Sequence, residues 1–325
     1  MGREGILIKQ PSTEPVDVAD WRPDEEFEVY PEGARDKSLL HSPVGSTHRF
    51  LLPDHRYLFK HSFERYPEQF WAEIVAYRAG CLLGVPVPPA FVAFDSDNGA
   101  SGALIEWFLG YPGDPDERYV PGGDIMVDMI PSYDRKKGAQ HNFTHVAGYH
   151  KVLAKWWSEN ATWLGYWCDM LLFDALIGNT DRHQDNWGLL WSQKLDRERS
   201  VRPAPVFDNG TSLGHEIIER KLPNFTNAER LAQYVNRGYH HIRWHLGDEK
   251  PQQHVGMLLR LIDANPHLAD RVEDRLASFD IEAFTTMINL LTEFDVPERL
   301  SPERADFVVR LTRFRYQNII NQLVK

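Results

Sequence analysis

Asp181 and Asn186 stand five residues apart in the polar run Gly178-Asn179-Thr180-Asp181-Arg182-His183-Gln184-Asp185-Asn186-Trp187-Gly188, and Asp208 follows Asn186 by 22 residues. A polar run between apolar segments must be satisfied by its own hydrogen bonds or by a ligand. At this spacing a carboxylate can orient or deprotonate a hydroxyl while the amide oxygen holds a metal. Asp208, ending Pro205-Val206-Phe207 and opening the turn Asp208-Asn209-Gly210, would supply a second hard oxygen ligand. Mg²⁺ takes only one or two such ligands from protein, since phosphates and water complete its shell. Lys60 and Glu73, 13 residues apart, add a cation for phosphates and a carboxylate to hold it. Taken singly, Asp181, Asn186 and Asp208 read as turn or cap residues, and Lys60 and Glu73 as solvated surface charges. Their order and spacing as a set describe phosphoryl transfer from a nucleotide.

The segment Leu176-Ile177-Gly178-Asn179-Thr180-Asp181-Arg182-His183-Gln184-Asp185-Asn186, with Phe207-Asp208 after it, resembles the HipA family of bacterial Ser/Thr protein kinases. Tyr57-Leu58-Phe59-Lys60, Trp71-Ala72-Glu73-Ile74-Val75-Ala76-Tyr77 and Leu83-Gly84-Val85-Pro86-Val87-Pro88 are similar to that family too. The resemblance covers residues 40–215. It implies ATP and Mg²⁺ as cofactors, with Asp181 as catalytic base or orienting group. It places Asn186 and Asp208 on Mg²⁺, and Lys60 with Glu73 on the phosphates. His183 either packs structurally or shares in the proton transfer. Nucleotide contacts at the lobe junction would fall at Glu106-Trp107-Phe108, with Glu106 and Phe108 acting through backbone. The phosphate-covering loop would be Pro43-Val44-Gly45-Ser46-Thr47-His48, bringing Gly45 and Ser46 to the nucleotide and making Ser46 or Thr47 a site of autophosphorylation. That loop has one Gly and no Gly-x-Gly-x-x-Gly.

By the same resemblance the reaction is in-line transfer of the ATP γ-phosphate to a protein hydroxyl. The substrate would be a protein such as a translation factor or aminoacyl-tRNA synthetase. The setting would be a toxin–antitoxin pair with a small DNA-binding antitoxin. About 40 residues precede the first hairpin, so the chain resembles a short form without the family's extra N-terminal subdomain. The Asp-Arg-His-x-x-Asn core also resembles phosphatidylinositol kinases, which keeps a lipid or small-molecule acceptor open. The sequence shows no basic amphipathic helix for a membrane surface, which weighs against lipid. A nucleotide-binding pseudokinase is the third reading, and the intact set of five residues weighs against it.

The elements that must position these residues can be read around them. Residues 1–35 are polar and predict an arm or loosely packed strands. Residues 38–60 predict a hairpin with a turn at Pro43-Val44-Gly45-Ser46, a strand at Arg49-Phe50-Leu51-Leu52, a second turn near Pro53-Asp54, and a strand Tyr57-Leu58-Phe59-Lys60. Apolar residues at Phe70, Ile74, Tyr77 and Cys81 predict a helix over 67–83, opened by Pro67 and closed by Gly84. Strands follow at 88–94 and 103–108, joined by Asp95-Ser96-Asp97-Asn98-Gly99. Residues 110–140, rich in Gly, Pro and Asp, read as a long loop at a lobe boundary. Residues 145–178 are helical, with 163–177 apolar almost all round. Short strands at 187–191 and 204–207 precede a helical C-terminal region from about 227. The expected fold is α+β and two-lobed, protein-kinase-like: a nucleotide-binding lobe over 1–108, mainly β with one key helix, and a larger, mainly α catalytic lobe over 109–325.

A chain of 325 residues with 42% hydrophobic content can bury a substantial core. The formal net charge of −11 disfavours direct nucleic-acid binding. Cys81 and Cys168 sit in apolar helical stretches, as buried thiols do. No apolar run is long enough to span a bilayer and no signal region opens the chain, so a cytoplasmic protein without membrane contact is expected. His141 and His145 have an i, i+4 zinc spacing but lack an evident third ligand.

Overall fold

The computed structural model describes residues 2–25, 37–111, 117–156, 163–192 and 200–324. Its N-terminal part is a sheet of six strands: β1 (Val16–Asp17), β2 (Arg22–Pro23), β3 (Lys37–His41), β4 (Arg56–His61), β5 (Ala90–Asp95) and β6 (Ala100–Glu106), in the order β1-β5-β6-β4-β3-β2. Only β1 against β5 is parallel. Alternation on β4 sets two faces. Tyr57 and Phe59 join Val16, Trp21, Phe50 and Phe91 in an outer core, while Leu58 and Lys60 face the inter-lobe cleft.

Helix α1 (Gln69–Leu83) packs on the sheet and is buried almost all round rather than along one stripe, with Cys81 half-exposed. It begins two residues later than Pro67 suggests; Ser62 Oγ accepts the Phe70 N–H at 2.8 Å and satisfies one early donor. Gly84, at φ +71°, closes it in a left-handed cap in which Val85 N–H donates to Gly80 O at 2.8 Å.

Two parts of the strand reading are corrected. Arg49–Leu52 is not a strand: β3 pairs directly with β4, and Phe50 and Leu51 are drawn into the outer core instead. Residues 204–207 are not a strand either. Strand β9 (Ser200–Pro203) ends before them, and beyond Pro205, which has no ladder donor, Val206 N–H crosses to Pro86 O at 2.8 Å.

Residues 110–140 hold more structure than a loop. Strand β7 (Glu117–Pro121) pairs with β8 (Gly188–Ser192), which pairs with β9, and helix α2 (Gly122–Met129) follows β7. The remaining described elements are helices. α3 (Phe143–Leu153) and α4 (Trp163–Ile177) precede the polar loop 178–187. α5 (Ala228–Val235), α6 (His254–Ala264), α7 (Ala269–Ser278), α8 (Ile281–Leu291) and α9 (Pro302–Leu323) follow it. α4 is the axis of this lobe, apolar on every side apart from Asp169, held by Arg271 and Arg275 of α7, and Asp174. The architecture is the expected two-lobed α+β arrangement. No helix among the described residues is long and apolar enough to cross a membrane.

Candidate active site

Lys60 and Glu73 meet across the sheet–helix boundary, Nζ to Oε1 at 2.6 Å, both nearly fully buried. Lys60 also contacts the Asp208 carboxylate from the other lobe. The second oxygen of Glu73 accepts the Asn209 N–H at 2.9 Å. One carboxylate on α1 thus fixes both the lysine and the backbone beside Asp208. Asp208 itself sits at φ +55°, a left-handed conformation that Asp tolerates better than most residues.

The loop after α4 is built on buried polar bonds. Asn179 Oδ1 accepts the Asp181 N–H at 2.9 Å, and Asn186 Nδ2 donates to Asp181 O at 2.7 Å. With its amide nitrogen used this way, Asn186 presents Oδ1 to the cleft that it lines, where no hydrogen bond to a described residue occupies it. Arg182, fully buried, pairs with Asp174 at 2.7 Å and donates to Asn186 O at 3.1 Å, to Phe207 O, and to Asn209 Oδ1 at 2.7 Å. Burial opposes its charge, but Asp174 beside it holds the guanidinium pKa above the usual value. This one side chain ties the Asn186 segment to the Asp208 segment. Burial pushes the Asp181 carboxyl up; His183 opposes this and Asp208 adds to it.

Between the lobes lies a cleft with a cavity volume of about 250 Å³. Leu58, Val87, Ala90, Ile105, Phe108 and Phe207 give it an apolar slot, and Lys60, Glu73, Asn186 and Asp208 form its polar end. His183 lines it as well, its Nδ1 accepting the Asp185 N–H at 3.2 Å and its ring 5.9 Å from that of His241. Asp181 stands just behind Asn186 rather than in the lining.

The structure therefore brings together Lys60, Glu73, His183, Asn186, Asp208, Glu106 and Phe108, with Asp181 adjoining. The Glu106 side chain is fully buried and taken by Arg3, Tyr57 and Tyr111, and its N–H donates to Pro89 O at 2.8 Å. Phe108 N–H has no acceptor among the described residues. Gly45, Ser46 and Thr47 are not brought to the cleft. In the antiparallel register Lys37 faces Lys60 and His41 faces Arg56, so the loop after His41 lies at the end of the sheet opposite Lys60. The chain enters β3 at Lys37, and Lys37 lines the cleft; the preceding residues 26–36 lie outside the described residues. His141 and His145 form no metal pair: Trp187 Nε1 donates to His141 Nε2 at 3.0 Å, and His145 Nδ1 bonds Asn142.

Sequence reading missed Lys37, Phe207 and the Arg182–Asp174 pair. An Asp near the end of an apolar helix, eight residues before an Arg, was the available signal for that pair.

The fold is the two-lobed α+β architecture of kinases. The chain is similar to the crystal structure of the Helicobacter pylori proinflammatory kinase CtkA over 95% of its length and 97% of that chain, with a TM-score of 0.70 and 17% identity. In sequence, 48 residues are 42% identical to the Serine/threonine-protein kinase CtkA of Helicobacter pylori, spanning 15% of this chain and 14% of that relative. A solved Shewanella oneidensis toxin–antitoxin complex of HipA, HipB and operator DNA is similar over 96% of this chain and 74% of its own, at a TM-score of 0.47 and 14% identity. No family model matches the chain. At the level of the fold, the likeness to the CtkA structure runs along almost the whole chain.

Proposed function

We propose that this chain is a HipA-like Ser/Thr protein kinase that uses ATP and Mg²⁺. The observation that carries the reading is the clasp in which Glu73 holds Lys60 and the Asn209 backbone together across the cleft. It joins a phosphate-binding cation to the segment of a metal-binding carboxylate, which a structural ion pair has no need to do.

The apolar slot suits a purine base, and Phe108 N–H is a donor at its rim. Lys60 neutralises phosphate charge once a nucleotide competes for it with Asp208. Asn186 and Asp208 offer hard oxygens that fit Mg²⁺, which when bound supplies positive charge at the β- and γ-phosphates. The acceptor hydroxyl oxygen forms its bond to the γ-phosphorus as the bond from the β–γ bridging oxygen breaks, and ADP leaves. Asp181 receives the hydroxyl proton, a task that its raised carboxyl pKa assists. His183, at the cleft wall, orients the loop through its bond to the Asp185 N–H.

The acceptor class is tested by phosphosite mapping. Expression of the active chain should raise phosphoserine or phosphothreonine on host proteins, and Asp181→Asn should not. New phosphate confined to the lipid fraction would overturn the protein-kinase reading. An antitoxin partner and a target in the translation machinery are further proposals resting on the motif resemblance; co-purification with a small DNA-binding protein tests the first.

A further inference from the structure

Beneath the catalytic loop, on the side away from the cleft, is a second, small cavity of about 20 Å³, lined by Ala175, Asn236, Gln253, His254, Arg315 and Asn318 among others. Arg315, from α9, is 4% exposed. Its hydrogen bonding is poor for a buried cation. Nη1 reaches Ala175 O only at 3.5 Å, and Nε has no partner. No carboxylate among the described residues pairs with it; the acidic side chain that it feels, Glu216, is exposed and accepts from Tyr234. Arginine stays charged in proteins. A buried guanidinium without counter-charge costs several kcal/mol by general estimates, so something must offset it.

The same cavity receives the start of α6. Its cap residue Gln253 makes no side-chain capping bond, its side chain donating instead to Asn236 O at 2.6 Å. The first-turn N–H groups of α6 and the Arg315 guanidinium therefore converge on one small polar space. The floor is tight: a side chain at Gly178 would strike the guanidinium, and His254 bonds Asn179 O at 2.7 Å.

We propose that this cavity is a binding site for a small monovalent anion, chloride in the cell, held by Arg315 and the α6 N-terminus. The space beside the guanidinium holds about one water-sized sphere, which suits a monatomic anion better than a nucleotide or a phosphate ester. Bound there, the anion offsets the Arg315 charge directly under Gly178 and Asn179, and so stiffens the base of the loop that carries Asp181 and Asn186. The site stands apart from the cleft and does not depend on the kinase reading.

The test uses the full chain with bromide as the probe. Crystals grown or soaked in bromide should show an anomalous peak beside Arg315 and the α6 N-terminus. In solution, the melting temperature should rise with chloride and not with gluconate at matched ionic strength, and Arg315→Met should lose that chloride dependence. A bromide map with no peak in this cavity overturns the proposal whether or not Arg315→Met folds. So does an unchanged chloride dependence in a folded Arg315→Met.

Discussion

Glu73 Oε2 accepts the backbone N–H of Asn209 at 2.9 Å while its other oxygen holds Lys60 at 2.6 Å. The position of α1 is thereby coupled to the segment that presents Asp208. Glu73→Gln keeps the shape and one acceptor but removes the charge. It should lower the turnover of phosphoryl transfer by about 10²-fold, the scale seen when one preorganised electrostatic contact is lost. Glu73→Asp, a carboxylate on a shorter stem, should not restore it. Steady-state kinetics at saturating Mg·ATP check both.

Arg182 and Asp174 form a fully buried ion pair. Arg182→Met should destabilise the fold by about 3–5 kcal/mol, because Asp174 is left as an uncompensated buried charge. The double variant Arg182→Met/Asp174→Leu should regain much of that stability. It should not regain transfer, because the link from Asn186 O to Phe207 O is gone. Urea unfolding and activity measured on the same preparations separate the two effects.

Much of this site was legible in the sequence, and the reason is chemical. Lys60, Glu73, Asp181, Asn186 and Asp208 are few in kind and fixed in order by the reaction they suit. The loop at Gly45-Ser46-Thr47 was misplaced because a turn-rich stretch beside a strand shows its turns and not the strand's direction. Only the pairing of Lys37 with Lys60 shows which end of β3 lies beside Lys60. The strand and helix within 117–129 were hidden by their Gly and Pro content, since β7 depends on pairing with β8, about 70 residues later. The partners of Arg182 come from three separate stretches of chain, around Asp174, Asn186 and Phe207–Asn209, a convergence that no local pattern records.

A pH effect is expected at the start of α1. Arg304 of α9 donates to both Glu68, at 3.0 Å, and Glu219, at 2.9 Å. Burial, with Glu219 adding to it, pushes the Glu68 carboxyl up to about 7. A carboxyl raised on folding binds its proton more tightly in the native state, so its contribution is full below the unfolded value near 4.5 and is lost as pH rises through about 7. Glu219 shifts downward and partly offsets this. Glu68→Gln should therefore match the wild type near pH 5 and exceed its stability at pH 8, by on the order of 1–2 kcal/mol. Thermal melts across that range provide the check.

Arg3 reaches from the N-terminal arm to Glu106, whose carboxylate is wholly buried at the cleft rim. Arg3→Ala should weaken ATP binding more than it slows turnover, since the rim loosens while Lys60, Asp181 and Asp208 stay in place. A raised KM for ATP with turnover kept within about threefold supports this split. An unchanged KM would detach Arg3 from the nucleotide site.

The most direct test of the account follows label from γ-³²P-ATP in the presence of Mg²⁺, comparing wild type with Asp181→Asn and Asp208→Asn. Wild type should transfer label to serine or threonine, on itself or on a protein acceptor. Asp181→Asn should still bind Mg·ATP but transfer nothing, and Asp208→Asn should lose both. Equal transfer by wild type and Asp181→Asn, or a wild-type chain that does not bind Mg·ATP, would contradict the assignment of this cleft as a kinase active site.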